Sequence, residues 1–152
     1  MPAVRKSAIV DRPAATMFAL VDDVERYPEF LPWCAATEVL ERTAELTRAR
    51  MDVDYHGLKT HITTRNVKDA PRGMTLEFVE GPFERFRGRW RFVPLGSDGC
   101  RVEFHLDYAF SSAALAIVLG PVFGHIADTF VERFVARAEA QGEPKRRRGK
   151  RP

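Results

Sequence analysis

The sequence contains few cysteines and no long run of apolar residues. Cys34 and Cys100 are the two cysteines of a 152-residue chain, and their wide separation, outside any C-x-x-C spacing, argues against a disulfide framework or a cysteine-based zinc site. No stretch approaches the roughly 20 apolar residues that a membrane-spanning helix requires. The residues after Met1 also lack the apolar segment and cleavage site of a secretory signal. We therefore expect a cytoplasmic protein.

The sequence also lacks the common signatures of catalysis and metal binding. It contains no G-x-S-x-G nucleophile elbow, no phosphate-binding G-x-x-x-x-G-K-[ST] loop and no G-x-G-x-x-G fingerprint. The histidines have neither the i, i+4 helical spacing of a zinc protease nor convincing carboxylate or cysteine companions. They are His56, His61, His105 and His125. We expect no catalytic residues, no metal and no required cofactor.

Charge is distributed unevenly along the chain. The formal net charge is +3, but residues 142–152 are strongly basic, which leaves residues 1–141 net acidic. The basic side chains of this segment are Lys145, Arg146, Arg147, Arg148, Lys150 and Arg151. We predict one domain over residues 1–141 followed by a disordered tail. Such a tail can contact anionic lipids at the inner membrane face or RNA phosphates, or simply improve solubility; DNA is not an expected partner.

The residues before the predicted sheet form short elements. Residues 7–10 read as the end of a strand, and Arg12 and Pro13 open a helix with an apolar face. Pro28 and Pro32 limit the next segment, residues 24–34, to one or two helical turns. Its side chains are too apolar for a free loop and should cover part of the core. They include Tyr27, Phe30, Leu31 and Trp33.

From about residue 37 to 110, apolar residues recur with a period of two. This pattern predicts antiparallel strands with one buried and one solvated face. Turn signals at residues 56–57, 71–73, 81–82 and 96–99 separate the strands by hairpin distances. The predicted inward positions include Ala49, Met51, Val53, Tyr55, Met74, Leu76, Phe78, Phe86, Gly88, Trp90, Phe92, Val102, Phe104, Leu106, Tyr108 and Phe110.

Residues from about 113 to 140 return to helical spacing. Their apolar stripe predicts an amphipathic helix that packs on the sheet. Pro121, with glycines on either side, should kink this helix or divide it into two segments. The stripe consists of Leu115, Leu119, Val122, Phe123, Ile126, Phe130 and Phe134.

Three separated motifs resemble one protein family. Residues 27–34 read Y-P-E-F-L-P-W-C, residues 81–92 read G-P-F-E-R-F-R-G-R-W-R-F, and residues 120–123 read G-P-V-F, followed by Ala127 and Phe130. In this order they resemble the coenzyme Q-binding START-domain family, which includes the bacterial ribosome-association toxins. The stretch T-T-R-N at residues 63–66 also fits. The similarity covers about residues 4–139, and Phe86 stands where the family pattern leads us to expect leucine.

The resemblance implies an α+β helix-grip fold of the START or birch-pollen-allergen type. In this fold a curved antiparallel sheet wraps around a long C-terminal helix, with two short helices near the N-terminus. It also implies a cavity that binds ubiquinone or a similar isoprenoid lipid, so that residues 1–141 would be a ligand-binding domain of a quinone carrier or chaperone. Composition alone instead favours a core that the same side chains fill completely.

A hydrophobic cavity of this kind needs no charged partner for an isoprenoid chain, because burial of apolar surface is itself favourable. Phe30 and Leu31 would form its mouth or lid, and the hydroxyls of Tyr55 and Tyr108 could orient a ligand carbonyl, although packing alone also explains both tyrosines. The residues expected to line the cavity are Trp33, Met51, Phe78, Trp90, Phe104, Tyr108, Phe123, Ile126 and Phe130.

Two other functions stay open on the sequence. The first is a ribosome-binding, toxin-like factor that interferes with subunit association, in which Arg85, Arg87, Arg89 and Arg91 contact RNA of the large ribosomal subunit. A charged strand face is more often merely solvated, and Glu103 and Asp107 could neutralise part of it. The second is a cyclase- or aromatase-like enzyme, whose pocket polar groups would move protons.

Overall fold

The computed structural model describes residues 3–141, which form one sheet, two α-helices and a short 3₁₀ helix. The basic tail predicted at residues 142–152 lies outside the described residues. In chain order the elements are β1 (Ala3–Val10), α1 (Ala14–Asp22), the 3₁₀ helix (Val24–Glu29), β2 (Cys34–Arg42), β3 (Leu46–Tyr55), β4 (Leu58–Asp69), β5 (Gly73–Glu80), β6 (Phe83–Leu95), β7 (Gly99–Phe110) and α2 (Ala113–Gln141).

All neighbouring strands are antiparallel, in the order β1-β7-β6-β5-β4-β3-β2. Strands β2 to β7 form the predicted meander, because each pairs with the next along the chain. β1 instead crosses to the far edge and pairs with β7, where Ala3 lies opposite Asp107 and Val10 opposite Cys100. The curved sheet and the long C-terminal helix confirm the predicted helix-grip fold.

The hairpin between β3 and β4 shows how local sequence sets the strand register. His56 and Gly57 both have positive φ, 51° and 87° respectively. Two consecutive left-handed residues make a primed two-residue turn, whose twist matches that of the flanking strands. Tyr55 is thereby placed opposite Leu58. The turn predicted at residues 56–57 is confirmed.

α2 is one continuous helix from Ala113 to Gln141, so Pro121 does not divide it into two segments, and the alternative of a kink at Pro121 stays a prediction. Proline removes the hydrogen bond that its own N–H would donate to the carbonyl four residues earlier, here that of Ile117. Ile117 lies on the exposed side of the helix, with 77% of its surface accessible. Water can therefore meet that carbonyl, and the helix tolerates the proline.

By length and composition alone, α2 could also cross a membrane. Its most apolar 18-residue window has a mean hydropathy of 1.7, and 33% of that window is buried. The core helix of a soluble protein meets the same criteria. The expectation that no segment spans a bilayer therefore depends on the packing of α2 against the sheet rather than on its hydropathy.

The core lies between the inner face of the sheet and the two α-helices. The 3₁₀ helix closes one side of it, where the buried Tyr27 hydroxyl donates a hydrogen bond to the carbonyl of Val21 over 2.5 Å. On β6, Gly88 occupies an inward position where a Cβ atom would lie only 3.1 Å from Leu76 Cδ1. A side chain at Gly88 would therefore displace a leucine of the neighbouring strand.

Candidate functional site

A cavity of about 90 Å³ lies between α2 and the inner face of the sheet. The strands β3 to β7 supply one wall, the middle of α2 supplies the other, and Val24 and Tyr27 of the 3₁₀ helix also line the cavity. Most of the wall is apolar. Seven of the residues predicted to contact a ligand lie on this wall: Trp33, Met51, Trp90, Phe104, Phe123, Ile126 and Phe130.

Phe130 stands at the centre of the aromatic part of the wall. Its ring centroid lies 5.1 Å from that of Phe104, 5.5 Å from Trp90 and 6.0 Å from Trp33. Behind it, Phe134 is fully buried and contacts Phe130 edge to face at 5.1 Å. This spacing is that of favourable aromatic pairs, so the site is hollow on one side of Phe130 and close-packed on the other.

Phe30 and Leu31, which were predicted to form the mouth or lid, are not among the residues that line the cavity. The Phe30 ring contacts Phe134 at 5.1 Å, and the guanidinium of Arg137 lies 5.0 Å from the Phe30 ring centre. Leu31 is completely buried. Phe30 thus packs the segment after the 3₁₀ helix against the C-terminal part of α2.

Phe78 and Tyr108 lie one side chain behind the wall rather than on it. Phe78 contacts the wall residue Phe86 at 6.4 Å, and Tyr108 contacts Phe83 at 5.8 Å. Phe83 in turn contacts the wall residue Phe123 at 5.0 Å. These rings form an aromatic layer that separates the cavity from the start of α2.

Tyr55 borders a different space, an outer groove of about 300 Å³ between the β3–β4 hairpin and α2. Its ring lies 5.3 Å from His125, and the groove also contains His56 and Arg133. Trp33 lines both the groove and the inner cavity. The Trp33 indole N–H is buried and has no hydrogen-bond partner among residues 3–141. A single side chain thus forms part of the partition between the two spaces.

The sequence did not predict the polar pair on the cavity wall. Thr64 and Asn66 lie two residues apart on β4, so both face inward, and the Thr64 hydroxyl donates a hydrogen bond to Asn66 Oδ1 over 2.8 Å. Asn66 is only 5% exposed. The pair could have been found from strand alternation. Alternation that starts at Ile62 places positions 64 and 66 on the inward face, where apolar side chains are expected and polar ones stand instead.

Burial raises the pKa values of four tyrosine and cysteine side chains in the core. It raises the pKa of the Tyr27 phenol far above its usual value and that of the Cys34 thiol to about 12. The pKa values of Cys100 and Tyr108 are raised for the same reason. Within residues 3–141, no group of three histidine, cysteine, aspartate or glutamate side chains could hold a metal ion.

The outer face of β6 carries the predicted arginine row. Arg87, Arg89 and Arg91 are exposed, whereas Arg85 is half-buried. Acidic residues of β7 interleave with them, since Arg87 lies opposite Asp107, and Arg91 forms a 4.0 Å ion pair with Glu103. The prediction of partial neutralisation by the neighbouring strand is confirmed for Arg91.

Comparison with known proteins places the cavity in a family context. Residues 10–135 match the family described as polyketide cyclase / dehydrase and lipid transport. The chain is 38% identical over 136 residues to the ribosome association toxin RatA of Pseudomonas aeruginosa, covering 90% of this chain and 94% of RatA. It is 24% identical over 140 residues to the mitochondrial coenzyme Q-binding protein coq10 of Schizosaccharomyces pombe, covering 89% and 85%.

Among solved structures, the Zhui aromatase/cyclase from Streptomyces sp. R1128 superimposes with a TM-score of 0.83. The match covers 93% of this chain and 96% of the other at 20% identity, so it shows a shared fold. The family match covers most of the chain, and the relatives align over nearly their whole length. The protein belongs to the polyketide cyclase / dehydrase and lipid transport family.

Proposed function

We propose that the protein binds a neutral lipid-like ligand, with ubiquinone as the leading candidate, and carries or protects it without covalent chemistry of its own. The observation that carries this proposal is the apolar cavity between α2 and the sheet. Burial of apolar surface contributes roughly 25 cal/mol per Å², which gives an isoprenoid chain affinity without a charged partner. The likeness to a coenzyme Q-binding relative supports the choice of ligand.

The ligand requires a wider cavity than the one present. Typical ligand pockets measure roughly 300–1,000 Å³, whereas this cavity measures about 90 Å³. Trp33 borders both the cavity and the outer groove of about 300 Å³. A change in the Trp33 side-chain rotamer would join the two spaces, and we propose this movement as the route by which a ligand enters.

The proposed absence of catalysis rests on the wall chemistry. Thr64 and Asn66 carry a hydroxyl and an amide, which do not ionise near neutral pH. Tyr27 is the titratable side chain among the described wall residues. Its pKa is raised, and its hydroxyl donates a hydrogen bond to the backbone carbonyl of Val21. Turnover of a poly-ketone substrate that is lost on changing Tyr55 or Tyr108 would contradict the proposal and favour a cyclase.

The direct test is extraction of lipids from the purified protein, followed by mass spectrometry. We expect wild type to carry ubiquinone or a related isoprenoid. Phe130→Asp places a charge on the cavity wall and should purify without the lipid, whereas Ile117→Asp, on the exposed side of the same helix, should retain it. Wild type without extractable lipid, together with failure to bind added quinone, would overturn the proposal.

A second function, association with the large ribosomal subunit, is favoured by a separate observation. Arg87 and Arg89 are exposed on one strand face and form no ion pair within residues 3–141. Arginines in such a row can contact RNA phosphates. The relative with the ribosome-association name covers nearly the whole chain.

Co-sedimentation with large subunits over a salt series tests this second function. Arg89→Gln should weaken association and reduce its salt dependence. Arg48→Gln is a matched control, because Arg48 is another exposed strand arginine with no ion pair in the described part of the chain. Removal of residues 142–152 separates the contribution of the tail. Equal sedimentation of all variants would show that neither surface contacts RNA.

A further inference from the structure

Thr64 and Asn66 place hydrogen-bonding capacity on an otherwise largely apolar wall. Asn66 is 5% exposed and borders the cavity. Its Oδ1 atom accepts the Thr64 hydroxyl at 2.8 Å. The amide nitrogen, which has two protons to donate, forms no hydrogen bond within residues 3–141. Because Asn66 lines the cavity and its amide protons have no acceptor among the described residues, a polar atom of a ligand can accept a hydrogen bond from them.

The surroundings of the pair select an uncharged ligand group. No lysine or arginine lies on the described part of the cavity wall. Lys68 follows Asn66 at the next inward position, but its ammonium group lies 3.1 Å from Asp22 Oδ1 and is already paired. A carboxylate or phosphate would be buried here without a counter-charge, which is strongly unfavourable. The pair therefore fits a neutral oxygen atom.

The pair can also reverse the direction of its hydrogen bonds. An amide turned by 180° exchanges its oxygen for its nitrogen, and a threonine hydroxyl rotates freely between donor and acceptor roles. In one arrangement Asn66 donates to a carbonyl oxygen. In the other, Asn66 donates to Thr64 and its own oxygen accepts from a ligand hydroxyl.

We propose that Thr64 and Asn66 form a head-group subsite that holds a neutral ring oxygen of a quinone and, with the hydrogen bonds reversed, of the corresponding quinol. This inference rests on the proposed function and deepens it. The reversal gives the two oxidation states similar affinities, so the protein accepts its ligand irrespective of redox state.

The test is equilibrium dialysis of three probes that share an apolar chain: decyl-ubiquinone, decyl-ubiquinol under anaerobic conditions, and decylbenzene, which has no oxygen. Asn66→Leu should weaken both oxygenated probes about tenfold and leave decylbenzene unchanged. Thr64→Val, a closer match in shape, should weaken them about threefold. Thr47→Val, at a buried threonine that does not line the cavity, is the control and should change the affinity for none of the probes.

The outcomes separate this inference from the proposed function. Unchanged affinity in both Asn66→Leu and Thr64→Val, with wild type still binding, overturns the subsite and leaves ligand binding intact. If the affinities for all three probes fall equally, the pair has a structural role, and the proposed subsite is again overturned. If the two variants bind decyl-ubiquinone more weakly but bind decyl-ubiquinol as tightly as wild type does, the proposed reversal of the hydrogen bonds is overturned. If wild type binds none of the probes, the proposed function fails first. Thermal unfolding of each ligand-free variant verifies that it is folded.

Discussion

α2 has a short first part, Ala113–Pro121, which contains no charged residue, and a longer second part, Val122–Gln141, which contains five. We call them its first and second halves, and their surroundings differ as much as their compositions. In the first half, Ala113 to Pro121, Ile117 is 77% and Val118 50% exposed, although both are strongly hydrophobic. In the second half, Val131 and Phe134 are buried against the core. The half without charged residues is therefore the one that exposes large apolar side chains. The difference shows that burial along this helix is decided by what lies opposite each turn rather than by composition.

The second half has its partner because the 3₁₀ helix and the sheet close around it. Tyr27 and Phe30 both contact Phe134 edge to face, at 5.3 and 5.1 Å. In the first half, the side of the helix that carries Ile117 and Val118 is not covered by any element of residues 3–141. Substitutions in the two halves should therefore differ sharply in their effect on stability.

The largest effect is expected at Phe134. Phe134→Ala removes a fully buried ring from a close-packed cluster, and the free energy of unfolding should fall by about 3–5 kcal/mol. Urea denaturation followed by far-UV circular dichroism measures this loss. A loss below about 1 kcal/mol would show that the second half of α2 is not the structural anchor we infer.

A smaller loss is expected one turn earlier, at Phe130. Its ring borders the existing cavity, so Phe130→Ala enlarges a space that is already empty, and the free energy of unfolding should fall by less than about 3 kcal/mol. The same denaturation experiment, run beside Phe134→Ala, compares the hollow and solid sides of the helix. Equal losses at the two positions would favour a solid core.

The contact between Arg137 and Glu29, near the end of the second half of α2, should make its contribution to stability depend on pH. Arg137 donates a hydrogen bond to Glu29, and this contact lowers the pKa of the Glu29 carboxyl. A lowered folded-state pKa stabilises the protein above the ordinary glutamate pKa, and this contribution is lost as the pH falls through the lowered value. Arg137→Gln should therefore reduce stability slightly near neutral pH, and the difference from wild type should shrink in acid.

The matched control for this measurement is Arg133→Gln, which removes a charge one turn earlier on the same helix. Arg133 is exposed and forms no ion pair in the described part of the chain. Its substitution should leave the pH dependence of urea unfolding unchanged. An identical pH profile for Arg137→Gln and wild type would show that the Glu29 contact does not contribute in solution.

The smallest effect is expected in the first half. Ile117→Gln replaces an exposed side chain, and the free energy of unfolding should change by no more than about 0.5 kcal/mol. Differential scanning calorimetry at low protein concentration checks this. A loss similar to that of Phe130→Ala would mean that another surface covers Ile117 in solution and that the contrast between the halves is false.

The sequence predicted the fold more fully than the site, for a physical reason. Alternation in β7 and helical spacing in α2 report which face of an element is inward, and the inward faces carrying Phe104 and Ile126 were identified from them. Periodicity does not report how far an inward side chain lies from the cavity. Phe78 and Tyr108 point inward, yet Phe83 and Phe86 stand between them and the empty space.

The polar part of the site was missed for a related reason. Thr64 and Asn66 are polar, and binary patterning assigns polar residues to the solvated face of a strand. A register irregularity between β4 and β5 occurs at Thr63 and Thr64, which periodicity does not reveal. Position in the folded sheet, rather than residue type, therefore assigns them to the cavity.

The pairing of β1 with β7 has a consequence for how the protein folds. The meander from β2 to β7 can zip together through short hairpins, each of which closes at little entropic cost. Joining Ala3 to Asp107 closes a loop that contains almost the whole sheet, and such long-range contacts slow folding. We expect an early meander and a late docking of β1, so that the sheet acquires its seventh strand only in the final kinetic step.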